Sequence, residues 1–263
     1  MSTCLITGAS RGIGRAIAIK LSEREDFQNF VLLSRSQKGL EETKRLMNPK
    51  KRVDLYSVDV TRFEEIQKIV DQVIRDYGRI DYLLNVAGYA EPKSLLETTI
   101  DNWTQTYLIN VHSLFFITRE VVKHMKKTGG KILNVASTAG MSSRPGWLAY
   151  SSSKAAVISM SQTLSDELAE YGIKVYCISP GRCATELRRI LAPDEDQSKI
   201  MQPEHVADVV NNLLSESGIC LDGQNIVIRQ QQQPKKKAEP SDAEPKKKAE
   251  DKAEEKLEKE ITA

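Results

Sequence analysis

Tyr150 and Lys154 stand four residues apart in the run Tyr-Ser-Ser-Ser-Lys. On a helix this spacing puts both side chains on one face, where the ammonium favours the ionised phenol and makes a usable acid or base near neutral pH. Ser137 precedes the pair, and far upstream lies a glycine-rich turn, Thr7-Gly8-Ala9-Ser10-Arg11-Gly12-Ile13-Gly14. The turn follows a strand-like run and opens a helical pattern. Gly8, Gly12 and Gly14 allow a tight turn and close backbone approach, and the free N–H groups of the helix start face a pyrophosphate. Together these features read as a nucleotide site coupled to a proton-transfer site. In isolation, a Tyr-x-x-x-Lys spacing is an ordinary helix-surface pair and the glycines are a turn with no ligand.

The elements that must position these groups alternate. Strand patterns fall at Thr3 to Thr7, Phe30 to Ser34, Val53 to Val58, Tyr82 to Asn85, Lys131 to Ala136, Ile173 to Ser179 and Asn225 to Arg229. Helical periodicity falls between them, at Ile13 to Arg24, Leu40 to Met47, Phe63 to Tyr77, Trp103 to Met125, Ala155 to Tyr171 and His205 to Leu214. The alternation predicts an α/β fold, a doubly wound and mostly parallel sheet with helices on both faces. Gly78, Gly129 and Gly172 stand where helix-ending glycines belong. Ligands then collect at the carboxyl ends of the strands.

The motif order resembles the classical short-chain dehydrogenase/reductase family. Thr-Gly-x-x-x-Gly-x-Gly at Thr7 to Gly14, Asp59-Val60, Asn85-Val86-Ala87-Gly88, Asn110, Ser137, Tyr150 to Lys154 and Pro180-Gly181-x-x-x-Thr185 carry the likeness over residues 3 to 229. It implies a single Rossmann-type catalytic domain and an oxidoreductase moving a hydride between a nicotinamide and a carbonyl or secondary alcohol. By family frequency a carbonyl or 3-oxoacyl reductase ranks first and a sugar or polyol dehydrogenase, its substrate phosphorylated or not, second; a cofactor-binding scaffold or redox sensor is the reading from another class. By the same resemblance Tyr150 donates the proton, Ser137 hydrogen-bonds the reacting oxygen, Lys154 lowers the tyrosine pKa and holds the nicotinamide ribose, and Asn110 holds a water linking Lys154 to solvent. Asp59 and Val60 are similar to the pair that brackets adenine, and Asn85, Ala87 and Gly88 to the turn lining the adenosine ribose. Pro180, Gly181 and Thr185 resemble the segment that orients the carboxamide. The family more often has a second Asn where Val86 stands. For Asp59 alone, a helix N-cap is the plain alternative.

Cofactor choice turns on the end of the second strand. An acidic residue there binds a ribose 2′-OH, whereas arginine accommodates a 2′-phosphate. The chain has Ser34-Arg35-Ser36 with no Asp or Glu, and Arg11 and Ser10 in the glycine turn add a second guanidinium and a hydroxyl. Paired N–H donors suit a phosphate, so NADP(H) is expected over NAD(H); two solvated turn arginines are the alternative. Met141 to Leu148 and Leu187 to Gln202 are expected to border the substrate. The second segment mixes Arg188, Arg189 and Lys199 with Asp194, Glu195 and Asp196, a lid suited to a phosphorylated sugar or an acyl-carrier partner, or simply solvated.

Composition agrees. The 263 residues are 40% hydrophobic with a formal charge of +2, enough for one large domain and without a field that calls for nucleic acid or acidic lipid. No signal-peptide pattern and no apolar run of about 20 residues is evident, so a cytoplasmic location and no membrane partner are expected. Cys4, Cys177, Cys183 and Cys220 lack metal-ligand spacing, and no metal is expected. Asn102-Trp103-Thr104 reads as a chance match to a glycosylation acceptor. The catalytic domain is assigned to residues 1–229. Residues 230–263 carry four glutamines, a repeated Pro-Lys-Lys-Lys-Ala-Glu unit, and nine lysines against nine acidic residues, which predicts a disordered polyampholyte tail. By family analogy the long helices Trp103 to Met125 and Ala155 to Tyr171 predict a homodimer or homotetramer.

Overall fold

A computed structural model describes residues 2–230; the calls on the tail from residue 231 onward lie outside the described residues. Seven strands form one parallel sheet in the order β3-β2-β1-β4-β5-β6-β7. They are β1 (Ser2–Thr7), β2 (Phe27–Ser34), β3 (Arg52–Ser57), β4 (Tyr82–Asn85), β5 (Gly130–Val135), β6 (Ile173–Pro180) and β7 (Asn225–Ile228). The strands read as apolar runs because both faces are covered. Leu5, Val31, Leu33, Leu83, Ile132 and Val175 point into one core layer, with α3 (Phe63–Tyr77) and α5 (Ser113–Met125) over it. Ile6, Phe30, Leu32, Leu84, Leu133 and Ile178 point into the other, under α1 (Gly12–Ser22), α2 (Gln37–Leu46) and α8 (Pro203–Leu213). Chain order reverses between β1 and β4, where a parallel sheet opens a crevice at its carboxyl edge.

The expected helices are present with three corrections. Trp103 to Met125 is not one α-helix. It runs as α4 (Ile100–Tyr107), a π-helical turn at Leu108–His112 and α5, because Asn110 is drawn out of the helical ladder by bonds described below. Second, α6 spans Leu148–Leu168 and starts before Ala155, so Tyr150 and Lys154 both lie in it. Third, a short α7 (Glu186–Leu191), to which no helical pattern was assigned, opens the segment expected to border the substrate. Gly78 and Gly172 end helical segments in the left-handed conformation, whereas Gly129 lies beyond the α5 cap at Lys126. Asn102 is buried and donates to the Glu91 carbonyl, so its glycosylation match is hidden. Cys4 and Cys177 are buried in strands as expected. No helix among the described residues is long and apolar enough to cross a membrane.

Candidate active site

The glycine turn joins β1 to α1 at the sheet's switch point. Gly8 takes φ +69°, and a side chain there would press on the Ala87 backbone at 2.8 Å. A side chain at Gly14 would overlap the Gly8 carbonyl oxygen. The two glycines therefore let α1 start flush against the turn. No side chain caps that start and its first turn holds no acidic residue, so the α1 N–H groups are open to an anion. Thr7 supplies a part that sequence reasoning missed. Its hydroxyl accepts from the N–H of Val86 (3.0 Å) and of Ala87 (3.1 Å), fixing the β4 exit turn where the family's second Asn is missing. Ile13 is partly buried and packs against the core beneath the turn.

At the far end of the crevice, Ser34 donates to Ser10 at 2.7 Å. Arg15, also missed, braces the turn from below, donating to Thr43 Oγ1 at 3.1 Å and to the Gly39 carbonyl at 3.3 Å. The two arginines expected to read a phosphate are exposed, and each stands beside a carboxylate. Arg11 pairs with Glu186 at 2.5 Å, and Arg35 stands 3.9 Å from Asp59. Asp59 is not a helix N-cap: it accepts from the Thr61 N–H (2.9 Å) and hydroxyl (2.8 Å), while Arg62 occupies the N-cap position of α3 without a side-chain capping bond. The Val60 side chain is buried in the core. Asn85 turns inward, donating to Thr118 (3.1 Å) and Asn134 (2.9 Å). Its side chain holds strands and helix together; at Gly88, three residues on, an added Cβ would meet the Lys154 ammonium at 3.5 Å.

The catalytic candidates converge on the ends of β5 and α6. Ser137 follows β5 and accepts from the Ala139 N–H at 3.1 Å, and its hydroxyl partly opposes the rise that burial imposes on the Tyr150 pKa. Lys154 is 4% exposed and its ammonium donates to the Val135 carbonyl at 2.8 Å, 5.9 Å from the Tyr150 ring centre. This corrects the expected electrostatics. Burial lowers the Lys154 pKa to about 8, and burial raises the Tyr150 phenol above its ordinary value. The groups opposing that rise are Ser137 and Arg144, so desolvation outweighs the pull of nearby charge.

Asn110 sits at the centre of a joint. Its Oδ1 accepts from the Tyr89 N–H (2.8 Å), and its Nδ2 donates to the Tyr89 carbonyl (2.9 Å) and to Ser153 Oγ (2.9 Å). Ser153 in turn donates to the Tyr150 carbonyl at 2.7 Å. The β4 exit, the π-turn and the first turns of α6 are thus bonded beside Lys154. Ser153 was not singled out from sequence, although it stands within the Tyr-to-Lys run; a lone serine in a serine triplet carries no signal of its own.

The last wall follows β6. Gly181 donates to the Ile228 carbonyl at 2.8 Å, and Thr185 caps α7 by accepting from the Arg188 N–H at 3.2 Å. A side chain at Gly12 would meet the Thr185 methyl at 3.3 Å, so the segment after Pro180 closes over the glycine turn. Lid charges are mostly paired among themselves: Arg182 and Arg188 both bond Glu195, and Lys199 bonds Asp196. The sequence-named residues thus stand at the carboxyl ends of β1 to β6 or on the helical segments of Asn110, Tyr150 and Lys154, with the Asn85 and Val60 side chains turned inward.

Known proteins with this architecture agree. The profile of the short chain dehydrogenases matches residues 2–196. A 3-oxoacyl-acyl-carrier-protein reductase of Thermotoga maritima is 32% identical, over 86% of this chain and 95% of that protein. An NAD-dependent glycerol dehydrogenase of Listeria innocua is 33% identical, over 85% and 91%. Among solved structures, an actinorhodin polyketide ketoreductase with NADPH superposes with a TM-score of 0.79 at 28% identity, covering 86% of this chain and 95% of that one. An NAD+-bound xylitol dehydrogenase gives 0.78 at 29% identity, covering 87% and 97%. With the profile spanning most of the chain and relatives above 30% identity over nearly all of it, the chain belongs to the classical short-chain dehydrogenase/reductase family of oxidoreductases.

Proposed function

We propose that the protein is an NADP(H)-dependent carbonyl reductase, with 3-oxoacyl thioesters the first substrate class to test. The observation that carries this reading is the meeting of the Tyr150 phenol, the Ser137 hydroxyl and the buried Lys154 ammonium beside an uncapped helix start and a glycine cradle that a Cβ would fill. A dinucleotide fits there: the α1 N–H groups and Gly8 to Gly14 would hold its pyrophosphate, Arg11, Arg35, Ser10 and Ser34 its 2′-phosphate end, and Lys154 and Thr185 its nicotinamide end. When bound, the nicotinamide supplies the hydride. Ser137 donates a hydrogen bond to the carbonyl oxygen and fixes its position, and Tyr150 delivers the proton as negative charge develops on that oxygen. The raised phenol pKa keeps Tyr150 protonated at neutral pH, which suits an acid in the reducing direction. Lys154 stands behind it on the Val135 carbonyl, with Asn110 and Ser153 fixing the helix turn that carries both.

A second reading, an NAD-linked polyol dehydrogenase, is favoured by one observation: Arg11 and Arg35 each face a carboxylate, which offsets the charge a 2′-phosphate would seek. Titrating NADPH against NADH by cofactor fluorescence separates the two, and turnover of 3-oxoacyl thioesters, ketones and ketoses follows. We expect NADPH to bind more tightly, and Tyr150→Phe to lower kcat by about a hundredfold or more with NADPH affinity retained. An undiminished kcat would remove Tyr150 from the chemistry. A cytoplasmic enzyme assembled as a homodimer or homotetramer belongs to the same proposal. Trp103 and Phe115, large side chains left exposed on α4 and α5, support the assembly; light scattering that finds a monomer would refute it.

A further inference from the structure

The run Arg144-Pro145-Gly146-Trp147 forms a tight turn leading directly into α6. Its Trp147 N–H bonds the Arg144 carbonyl at 3.1 Å, and Gly146 takes φ +78°. Proline and then a left-handed glycine at the two central positions are the residues a type II turn requires. The turn brings its first and last side chains together. The Arg144 guanidinium lies 5.4 Å from the centre of the Trp147 ring, and that ring meets Tyr150 edge-on at 5.7 Å. Cation, indole and phenol thereby follow one another in a row, the guanidinium over the indole and the indole edge-on to Tyr150.

Arg144 differs from the other cations that border the substrate side. Arg182 and Arg188 share Glu195 and Lys199 holds Asp196, while Arg189, exposed on α7 and without an ion pair among the described residues, lies over no aromatic ring. Arg144 is exposed and has no ion pair among the described residues, and its charge is felt at Tyr150. A guanidinium immobilised on an aromatic face, with its N–H fork unused, is a preorganised receptor for a planar carboxylate or a phosphate.

We propose that Arg144 is the specificity-determining residue of this site, recognising a carboxylate or phosphate on the substrate at a distance from the reacting carbonyl. The two centre-to-centre steps place the guanidinium within about 11 Å of the phenol ring, a span of up to roughly nine covalent bonds of extended chain. Trp147 is the apolar wall along which the intervening chain lies. The proposal rests on the oxidoreductase reading for the place of the carbonyl, and on the turn alone for the place of the anion.

The test uses a homologous series of methyl-ketone carboxylates and their methyl esters, with matched keto-alkyl phosphates and alcohols as a second arm. Within each enzyme the readout is the ratio of kcat/KM for the charged and uncharged partner, so a general loss of activity cancels. The wild type is expected to prefer the anion, most strongly at one intermediate chain length, and the two arms show whether carboxylate or phosphate is the better fit. Arg144→Ala should erase about tenfold of that preference, Arg144→Glu should invert it and Arg144→Lys should keep part of it. A ratio that Arg144→Ala leaves unchanged overturns the proposal. A second measurement is independent of turnover. The chain has two tryptophans, so Trp103→Phe leaves Trp147 as the sole reporter, and saturable quenching by the carboxylates should vanish with Arg144→Ala. Quenching without turnover of any ketone would refute the reductase reading and retain the anion site. Turnover of esters with neither discrimination nor quenching would do the reverse.

Discussion

Replacing Lys154 by Met should stabilise the protein while disabling it. Burial holds the folded Lys154 pKa at about 8 against an ordinary 10.5, so at neutral pH the folded state carries a charge it would rather release, at a cost of about 3 kcal/mol. Methionine keeps the apolar stem and removes the charge. It also removes the donor to the Val135 carbonyl, which returns about 1 kcal/mol. The net gain is about 2 kcal/mol at pH 7, or a rise in Tm of about 4–8 °C for a domain of this size. The pH dependence carries the sharper signature. Between pH 8 and 10.5 the unfolded lysine holds its proton and the folded one does not, so the unfolded state binds more protons and wild-type stability rises with pH. Tyr89 and Tyr176, both pushed up to about 12 by burial, act oppositely: their contribution is intact below the unfolded value of 10.0 and is lost as pH rises from there through about 12. The difference between wild type and variant isolates Lys154. Urea denaturation of both proteins at pH 7 and pH 10.5 should show the variant's advantage shrinking towards zero or below. A variant less stable than wild type by 2 kcal/mol at pH 7, with an unchanged difference at pH 10.5, would refute the claim that Lys154 is a strained buried cation.

Three further outcomes follow from single contacts. Glu186→Gln frees Arg11 from an exposed pair worth less than about 1 kcal/mol; NADPH should bind about two- to fivefold tighter with NADH unmoved and the gain lost at high salt, whereas equal changes would show that Arg11 does not read the phosphate. Gly14→Ala lies inside a helix, where propensity alone predicts a gain of about 1 kcal/mol; overlap with the Gly8 carbonyl should instead cost about 2 kcal/mol or more and abolish cofactor binding, and a thermal melt at or above the wild-type temperature would contradict this. Ser153→Ala deprives Asn110 of an acceptor and the Tyr150 turn of its tie, so kcat should fall by about tenfold with NADPH affinity unchanged; Ser153→Thr should restore part of it, and a loss confined to KM would argue against a positioning role.

The sheet was legible because its strands are buried on both faces and read as unbroken apolar runs, and the site was legible because its motifs sit at strand ends in chain order. What the sequence hid depends on partners distant along the chain. Arg15 braces a turn only because Gly39 and Thr43 of α2 come beneath it. The early start of α6 fell outside the helical periodicity read at Ala155 to Tyr171, because Ser151 to Ser153 are poor helix formers without an apolar pattern. In the folded chain Ser152 and Ser153 satisfy their hydroxyls on carbonyls one turn back, Leu148 and Tyr150. The four-residue spacing of Tyr150 and Lys154 correctly placed both on one helix but misjudged their coupling. Spacing reports proximity, whereas the pKa values are governed by burial, and burial is a property of the assembled crevice.

The π-turn shows how such long-range demands shape local structure. Leu108 to His112 contains no proline or glycine that would break a helix, and α4 runs through it into α5 with no residue left outside helical structure. A π-turn inserts one residue, which rotates everything beyond it by about 100° relative to an unbroken α-helix. The compensation is visible in the bonds of Asn110. Its amide meets both backbone groups of Tyr89 and the Ser153 hydroxyl, three contacts from one side chain that is 2% exposed. Each is worth about 1 kcal/mol when made, and each leaves a buried polar group orphaned when lost. Apolar residues at this position would favour the regular helix, and the β4 exit turn would lose its anchor beside the Lys154 ammonium. The distortion in the helix is thus held by the same amide that orders the catalytic turn, which accounts for a mid-helix asparagine better than any propensity does.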